Sequence, residues 1–293
     1  MLSAYLNALF PVVFCAALGF ALARKTGLLD SPALSRLVTL IGLPALILSA
    51  LFGMDVAVWS VSETALAILA VLVVSALVGA LGLKLAGLDV RGYLSMLVNP
   101  NTGNLGIPLV FALLGKEALI HAVVISTVVQ VSHFTLGVWL LSGHFSFRAV
   151  LSNASIIALL AGGVWLATGI ETPAAINDTV ELLAGMTLPV MLLLLGKSLA
   201  SINLQDLGRV GTIAGLAMAR VVLGFSAALL VVAVLPLEPI VVRTLLIQAA
   251  MPVAVISYIL ASHYSGPKDD IAAVILISMP LSLVSVFAIM HFL

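Results

Sequence analysis

Apolar runs of roughly twenty residues, the length a helix needs to cross a bilayer, succeed one another along this sequence until little else remains. Charges and turn residues separate ten of them, at about 5–23, 34–52, 62–84, 92–114, 119–143, 150–169, 180–199, 210–235, 242–264 and 271–292. The links are short, so no water-soluble domain can be cut from the chain. In hydrocarbon every backbone N–H and C=O must find a partner within the protein, which makes an all-α integral membrane bundle the expected fold and the lipid bilayer its surroundings. Composition agrees, with 63% of the 293 residues hydrophobic and 8% charged, against about half and a quarter in soluble domains. A net charge of zero and the lack of a basic cluster argue against nucleic-acid binding. Cys15 is the single cysteine; it can form neither an intrachain disulfide nor a cysteine metal cluster and reads as a packing residue.

The first run ends at Ala21-Leu22-Ala23, which resembles a signal-peptidase site. Its cations, Arg24 and Lys25, come after the apolar stretch instead of preceding it, so it reads as a retained first helix. Loop cations then set the orientation. With an external N-terminus, Arg24, Lys25, Arg36, Lys84, Arg91, Arg148, Lys197, Arg209 and Lys268 fall on the cytoplasmic side, and only Lys116 and Arg243 outside. The acidic loop with Glu171, Asp178 and Glu181 also falls outside. The expected protein spans the cell (inner) membrane many times, with both termini on the non-cytoplasmic side.

The two halves resemble each other. Arg91 precedes Pro100 by nine residues, and Arg243 precedes Pro252 by nine. Leu43-Pro44 in run 2 has a counterpart in Leu188-Pro189 of run 7, Thr26-Gly27 with Pro32 in Thr168-Gly169 with Pro173, and Ile125-Ser126 in Ile277-Ser278. Four matches in the same order predict an internal duplication, residues 1–145 and 146–293, of five runs each. Five is odd, so the second copy enters the membrane inverted. That architecture belongs to secondary transporters, whose sites lie near the midplane where discontinuous helices of the two halves meet.

Run 4 carries the least lipid-compatible stretch, NPNTGNLGIP, from Asn99 to Pro108. Pro100 and Pro108 lack a backbone N–H, and Gly103 and Gly106 ease non-helical dihedrals, so carbonyls of the preceding turns lose their helical partners. Unwound backbone survives in a membrane only when buried in protein or facing a wet cavity. Asn99, Asn101, Thr102 and Asn104 can satisfy the freed groups or present donors and acceptors to a solute, and a helix resuming near Pro108 would turn its positive end towards the break, favouring an anion. A proline kink with self-bonded asparagines is the bland alternative. The corresponding stretch of the other half, Gln248 to Ser257 around Pro252, predicts a second break that crosses the first.

Other polar residues at depth are fewer. Arg220 lies about ten residues into run 8, where a charge costs at least ~2.5–3.5 kcal/mol unless paired or hydrated; it reads either as a fork for a substrate carboxylate or as a structural partner. Gln130 and His133 share a helical face and read as solute contacts, or, for His133, as a proton carrier or a cross-helix bond. Ser126 and Ser278 suit a cation site or, more simply, helix packing. Glu63, Asp55 and Glu238 fall at membrane edges, Asp269-Asp270 reads as a helix start, and Ala161-Gly162-Gly163 suits close packing.

The motif NPNTGNLGIPL, with Met251-Pro252 and the stretch from Leu260-Ala261-Ser262-His263-Tyr264 to Ile275-Leu276-Ile277-Ser278, resembles the auxin efflux carrier (AEC) family of bacterial permeases, relatives of the plant PIN carriers. The resemblance covers the whole chain. It implies ten helices in two inverted five-helix repeats, with helices 4 and 9 broken and crossing at proline. It further implies a scaffold domain of helices 1, 2, 6 and 7, a transport domain of helices 3–5 and 8–10 that moves elevator-fashion, and a homodimer through the scaffold. Family substrates are organic anions, auxin-like monocarboxylates or dicarboxylates such as malate or malonate. Asn99, Pro100, Asn101, Asn104 and Pro252 are the crossover residues so implied. Met251 stands where the first half has Asn99, so most polar contacts are expected from run 4.

The leading reading is thus an elevator carrier for a small organic anion, without a resident cofactor and with Na+ or H+ as possible coupling ions. A sodium-coupled symporter of the bile-acid type is the alternative, although no carboxylate stands beside the breaks. Nothing resembles a repeated channel filter. Intramembrane hydrolase pairs, HExxH and GxxxxGK[ST] are lacking, so an enzyme or a nucleotide-driven pump is not expected.

Overall fold

The computed structural model describes residues 2–52, 58–144, 152–200 and 210–292. Asp55, Arg148 and Arg209, used above for membrane edges and orientation, lie outside the described residues. Among the described residues the chain is helical without strands, apart from one isolated antiparallel bridge between Pro100 and Val253. The helices are α1 (Leu2–Lys25), α2 (Ala33–Phe52), α3 (Val58–Leu85), α4 (Val90–Val98), α5 (Thr102–Leu114), α6 (Lys116–Ser142), α7 (Ala154–Ala167), α8 (Ala174–Ala200), α9 (Val210–Val234), α10 (Pro239–Ala249), α11 (Val255–His263) and α12 (Lys268–Phe292).

Seven of these, α1, α2, α3, α6, α8, α9 and α12, contain stretches long and apolar enough to cross a membrane. The chain is a multi-pass membrane protein. Helices α5, α7 and α10 are apolar but shorter. The sixth run appears as the 14 residues of α7, about 21 Å of helix at 1.5 Å per residue, because Asn153 caps its start with bonds from Ser155 N (2.9 Å) and Ile156 N (3.3 Å). Asp269 and Asp270 occupy the first turn of α12, as their position predicts; carboxylates there complement the positive end of the helix.

Prolines explain most helix irregularities. In α2 a π turn, Val38–Gly42, immediately precedes Leu43-Pro44, and in α5 a π turn, Thr102–Gly106, precedes Ile107-Pro108. A proline has no N–H for the carbonyl four residues back, which loosens the turn before it; α1 and α12 nonetheless run on as α-helix through Pro11 and Pro280. Pro189 acts likewise in α8, whose two helical pieces end at Gly185 and resume at Thr187.

This corrects the extent of the first break. The sequence predicts unwinding across all ten residues from Asn99 to Pro108, with helix resuming near Pro108. Instead the helix resumes at Thr102. Gly103 and Gly106 lie in the π turn, and Pro108 sits in the first turn of the segment Ile107–Leu114, where its missing N–H is tolerated. The non-helical stretch is only Asn99 to Asn101.

The chain forms two compact units. Unit 1 holds Met1–Thr64, Gly103–Thr127 and Arg148–Ser201. In it α1 packs against the Thr187–Ala200 part of α8 at two glycines that let the backbones touch: a Cβ on Gly19 would meet the Leu193 backbone, and one on Gly196 would meet Ala16 and Phe20. Helix α7 packs on α2, with Gly162 against Leu48 and Leu51, whereas Gly163 faces open space. Small residues at helix contacts are the usual device where lipid supplies no hydrophobic drive between helices. Unit 1 also buries a hydrogen bond between Thr64 Oγ1 and His121 Nδ1 (2.8 Å). Unit 2 holds Ala65–Thr102, Val128–Phe147 and Ile202–Leu293. There α9 packs on α12, α10 and α4, and α11 packs on α12.

Candidate functional site

Within unit 2 both breaks begin in the same way. Asp89 caps α4, accepting from Arg91 N and Gly92 N at 3.0 Å each. The helix stops at Val98, where Asn99 turns extended at φ −101°, ψ 101°. Pro100 comes next and cannot extend the ladder. Helix α10 ends at Ala249, two residues before Met251-Pro252. The loose ends then run past each other, with Pro100 bridged to Val253 and Asn101 N donating to Pro252 O at 2.8 Å.

Freed backbone groups in an apolar core cost several kcal/mol each when left unpaired, and here side chains from other helices take them up. Ser282 Oγ of α12 donates to Ala250 O at 2.7 Å. Val253 N donates to Ser278 Oγ at 3.2 Å, and that hydroxyl passes its own hydrogen to Ile275 O at 3.1 Å. Arg220 of α9, 1% exposed, takes three more. Its Nη1 donates to Leu97 O, its Nη2 to Ala249 O at 2.7 Å and its Nε to Met251 O at 3.3 Å. Each of the three guanidinium nitrogens thus donates to backbone, which engages three of its five N–H groups. Among the described residues Lys116 pairs with Glu181 (3.2 Å), and no such carboxylate partner meets Arg220.

Two amides at the crossing are not fully spent. Asn99, 0% exposed, gives its Nδ2 to Ser95 Oγ (3.3 Å), and its Oδ1 accepts nothing. Asn101, 5% exposed, has an Nδ2 without an acceptor. Thr102 and Gln248 are buried in the same unit. Helix α11 starts just after Pro252 and Val253, with Ala254 at its cap position and no side-chain cap. Ser257 N donates to Ala254 O at 3.0 Å, which leaves the N–H groups of Val255 and Ile256 without an intrahelical acceptor, the kind of donor an anion can use.

His133 is buried in a π turn of α6, with Nδ1 3.1 Å from Val129 O and Nε2 3.3 Å from Ser257 Oγ. A carbonyl only accepts, so in the neutral ring Nδ1 carries the hydrogen and Nε2 accepts from Ser257. The contact with Ser257 links α6 to α11. Gln130 is half-buried in the same unit. Asn104, also half-buried, belongs to unit 1 with Gly103, Gly106 and Pro108. Ser126 Oγ lies 3.4 Å from where a Cβ on Gly103 would stand. Among the described residues no cluster of His, Cys, Asp or Glu could hold a metal ion.

Sequence reasoning does not single out Ser95, Ser257, Ser282 or Gly224. For Ser282 a signal existed: it stands 152 positions after Gln130, the separation of Pro100 and Pro252. For the others the meaning comes from contacts between helices. Gly224 leaves room for the guanidinium, since a Cβ there would lie 2.6 Å from Arg220 Nη2 and would strike Ala249 O.

No curated protein matches the chain. Residues 4–146, and again residues 138–290, match the family described as membrane transport protein, so each half answers separately to one pattern. Together with the apolar helices and the paired breaks, this places the chain among membrane transporters: it belongs to the membrane transport protein family, that of the AEC and PIN permeases.

Proposed function

We propose that the chain is a secondary carrier of a small organic anion, an auxin-like monocarboxylate or a dicarboxylate such as malate or malonate. In this reading ten helices form two inverted five-helix repeats in the inner membrane, with both termini non-cytoplasmic. The body that carries the crossing moves elevator-fashion, in a homodimer held through the scaffold. The single observation behind the site is the pair of buried, incompletely bonded amides at the crossing, Asn99 Oδ1 and Asn101 Nδ2. A buried polar atom left without a partner costs roughly 1–3 kcal/mol, a penalty that a solute offering the missing group removes. The uncapped start of α11 adds donors for a carboxylate. Thr102, Gln130, His133 and Gln248, all of unit 2, complete the proposed lining.

The chain is proposed to be no enzyme, since the family is one of transporters. The bile-acid-type symporter remains a second, less favoured reading. The test is a thermal-unfolding screen of the purified protein against mono- and dicarboxylates, paired with uptake in vesicles. One anion class is expected to raise Tm saturably, because ligand bound to the folded state stabilises it. Asn101→Ala is expected to keep the resting Tm and lose both the shift and uptake. Full uptake and an undiminished shift in this variant would remove the site assignment.

A further inference from the structure

Two helices end at the crossing with their C-terminal carbonyls, and a macrodipole places roughly half a negative charge at each such end. Together α4 and α10 therefore present about one negative charge, at end carbonyls that include Leu97 O and Ala249 O, with Met251 O just beyond α10 in the unwound stretch. Carriers built on broken helices commonly place a coupling cation at such unwound carbonyls and half-helix C-termini. Here those three oxygens are occupied by a cation that cannot leave. The guanidinium of Arg220 donates to all three, is 1% exposed, and meets no carboxylate among the described residues. Its charge matches the summed dipole ends in size and opposes them in sign. Gly224, one turn further along α9, leaves the space that the group fills.

We infer that Arg220 is the resident cation of the crossing: it takes the place of a mobile alkali ion at the half-helix carbonyls, so that the folded carrier needs no sodium or potassium there. Arg220 is accordingly a positioning residue. It holds Leu97, Ala249 and Met251, and through them the register of Asn99 and Asn101, without touching the solute. A planar fork with several donors suits three acceptors spread over two chain ends better than an ammonium point charge does.

The inference takes the crossing as the binding region proposed above, but its test uses no solute, so the two readings fail separately. Thermal unfolding of the purified full chain is monitored in sodium, potassium, choline and methylguanidinium chloride at one ionic strength. The native protein is expected to show the same Tm in sodium and choline; a saturable, sodium-specific rise would overturn the inference. Arg220→Ala is expected to lose several degrees in choline and to recover them saturably in methylguanidinium, which restores the missing donors. A native Tm for this variant in choline, or a folded variant that no cation restores, would overturn it as well. Arg220→Lys keeps a tethered charge and guards against an alanine variant that does not fold. It is expected to unfold at an intermediate temperature with no sodium dependence; a sodium requirement acquired by the lysine variant would sink the proposal.

Discussion

Gly224→Ala sets two effects of opposite sign against each other. Removing a glycine from a helix interior ordinarily stabilises by up to about 1 kcal/mol. At this position, however, the new methyl would meet Ala249 O and stand 2.6 Å from Arg220 Nη2. Ala249 O is the nearer of the two, 2.2 Å from the new Cβ, so α9 must draw back from α10 and carry the guanidinium with it, breaking the 2.7 Å bond from Nη2 to Ala249 O. A hydrogen bond to a charged group contributes about 1.5–3 kcal/mol, and forcing a methyl into a packed interior costs about 1–3 kcal/mol more. Both exceed the propensity gain, leaving a net loss of roughly 1.5–5 kcal/mol. At about 2 °C per kcal/mol for a chain of this size, Tm should fall by roughly 3–10 °C. Gly215→Ala is the control: it lies on the same helix with nothing within 4 Å of the new Cβ, so Tm there should hold or rise slightly. Unfolding of both variants in the same detergent, read by near-UV circular dichroism, decides between the two effects. If Gly224→Ala is as stable as Gly215→Ala, the guanidinium is not held where its contacts place it, and the crossing is not braced by Arg220.

Two further outcomes can be checked in the same assay. Ser282→Ala leaves Ala250 O buried without its 2.7 Å donor and is expected to lower stability by about 1–3 kcal/mol, although serine to alanine on an exposed helix face would be close to neutral. Gly196→Ala presses a methyl onto the backbones of Ala16 and Phe20 and is expected to cost about 3 kcal/mol or more; Gly163→Ala, which meets open space, should not be distinguishable from the native chain.

The crossing was legible in part because its causes are local. Pro100 and Pro252 withhold donors wherever they stand, and hydrophobic sequence on both sides places that loss inside the membrane. The same local rule misjudged the length of the first break. A π turn absorbs Pro108 without unwinding, and nothing in a glycine- and asparagine-rich string distinguishes a widened turn from an open coil. Arg220 stood out as a charge at depth, yet its two readings could not be separated along the chain. Leu97 lies 123 positions before it and Met251 31 positions after it, so its acceptors become neighbours only once three helices have packed.

By itself, then, this sequence determined only features that composition and covalent chemistry dictate: an all-helical membrane chain, two related halves, and prolines that interrupt the same position in each. Tertiary structure alone decided which groups repair those interruptions. Hydrogen bonding by Arg220, Ser278 and Ser282 to the freed backbone is a matter of distances between helices. A buried polar group takes whichever partner packing brings within about 3 Å, and linear spacing does not record that distance.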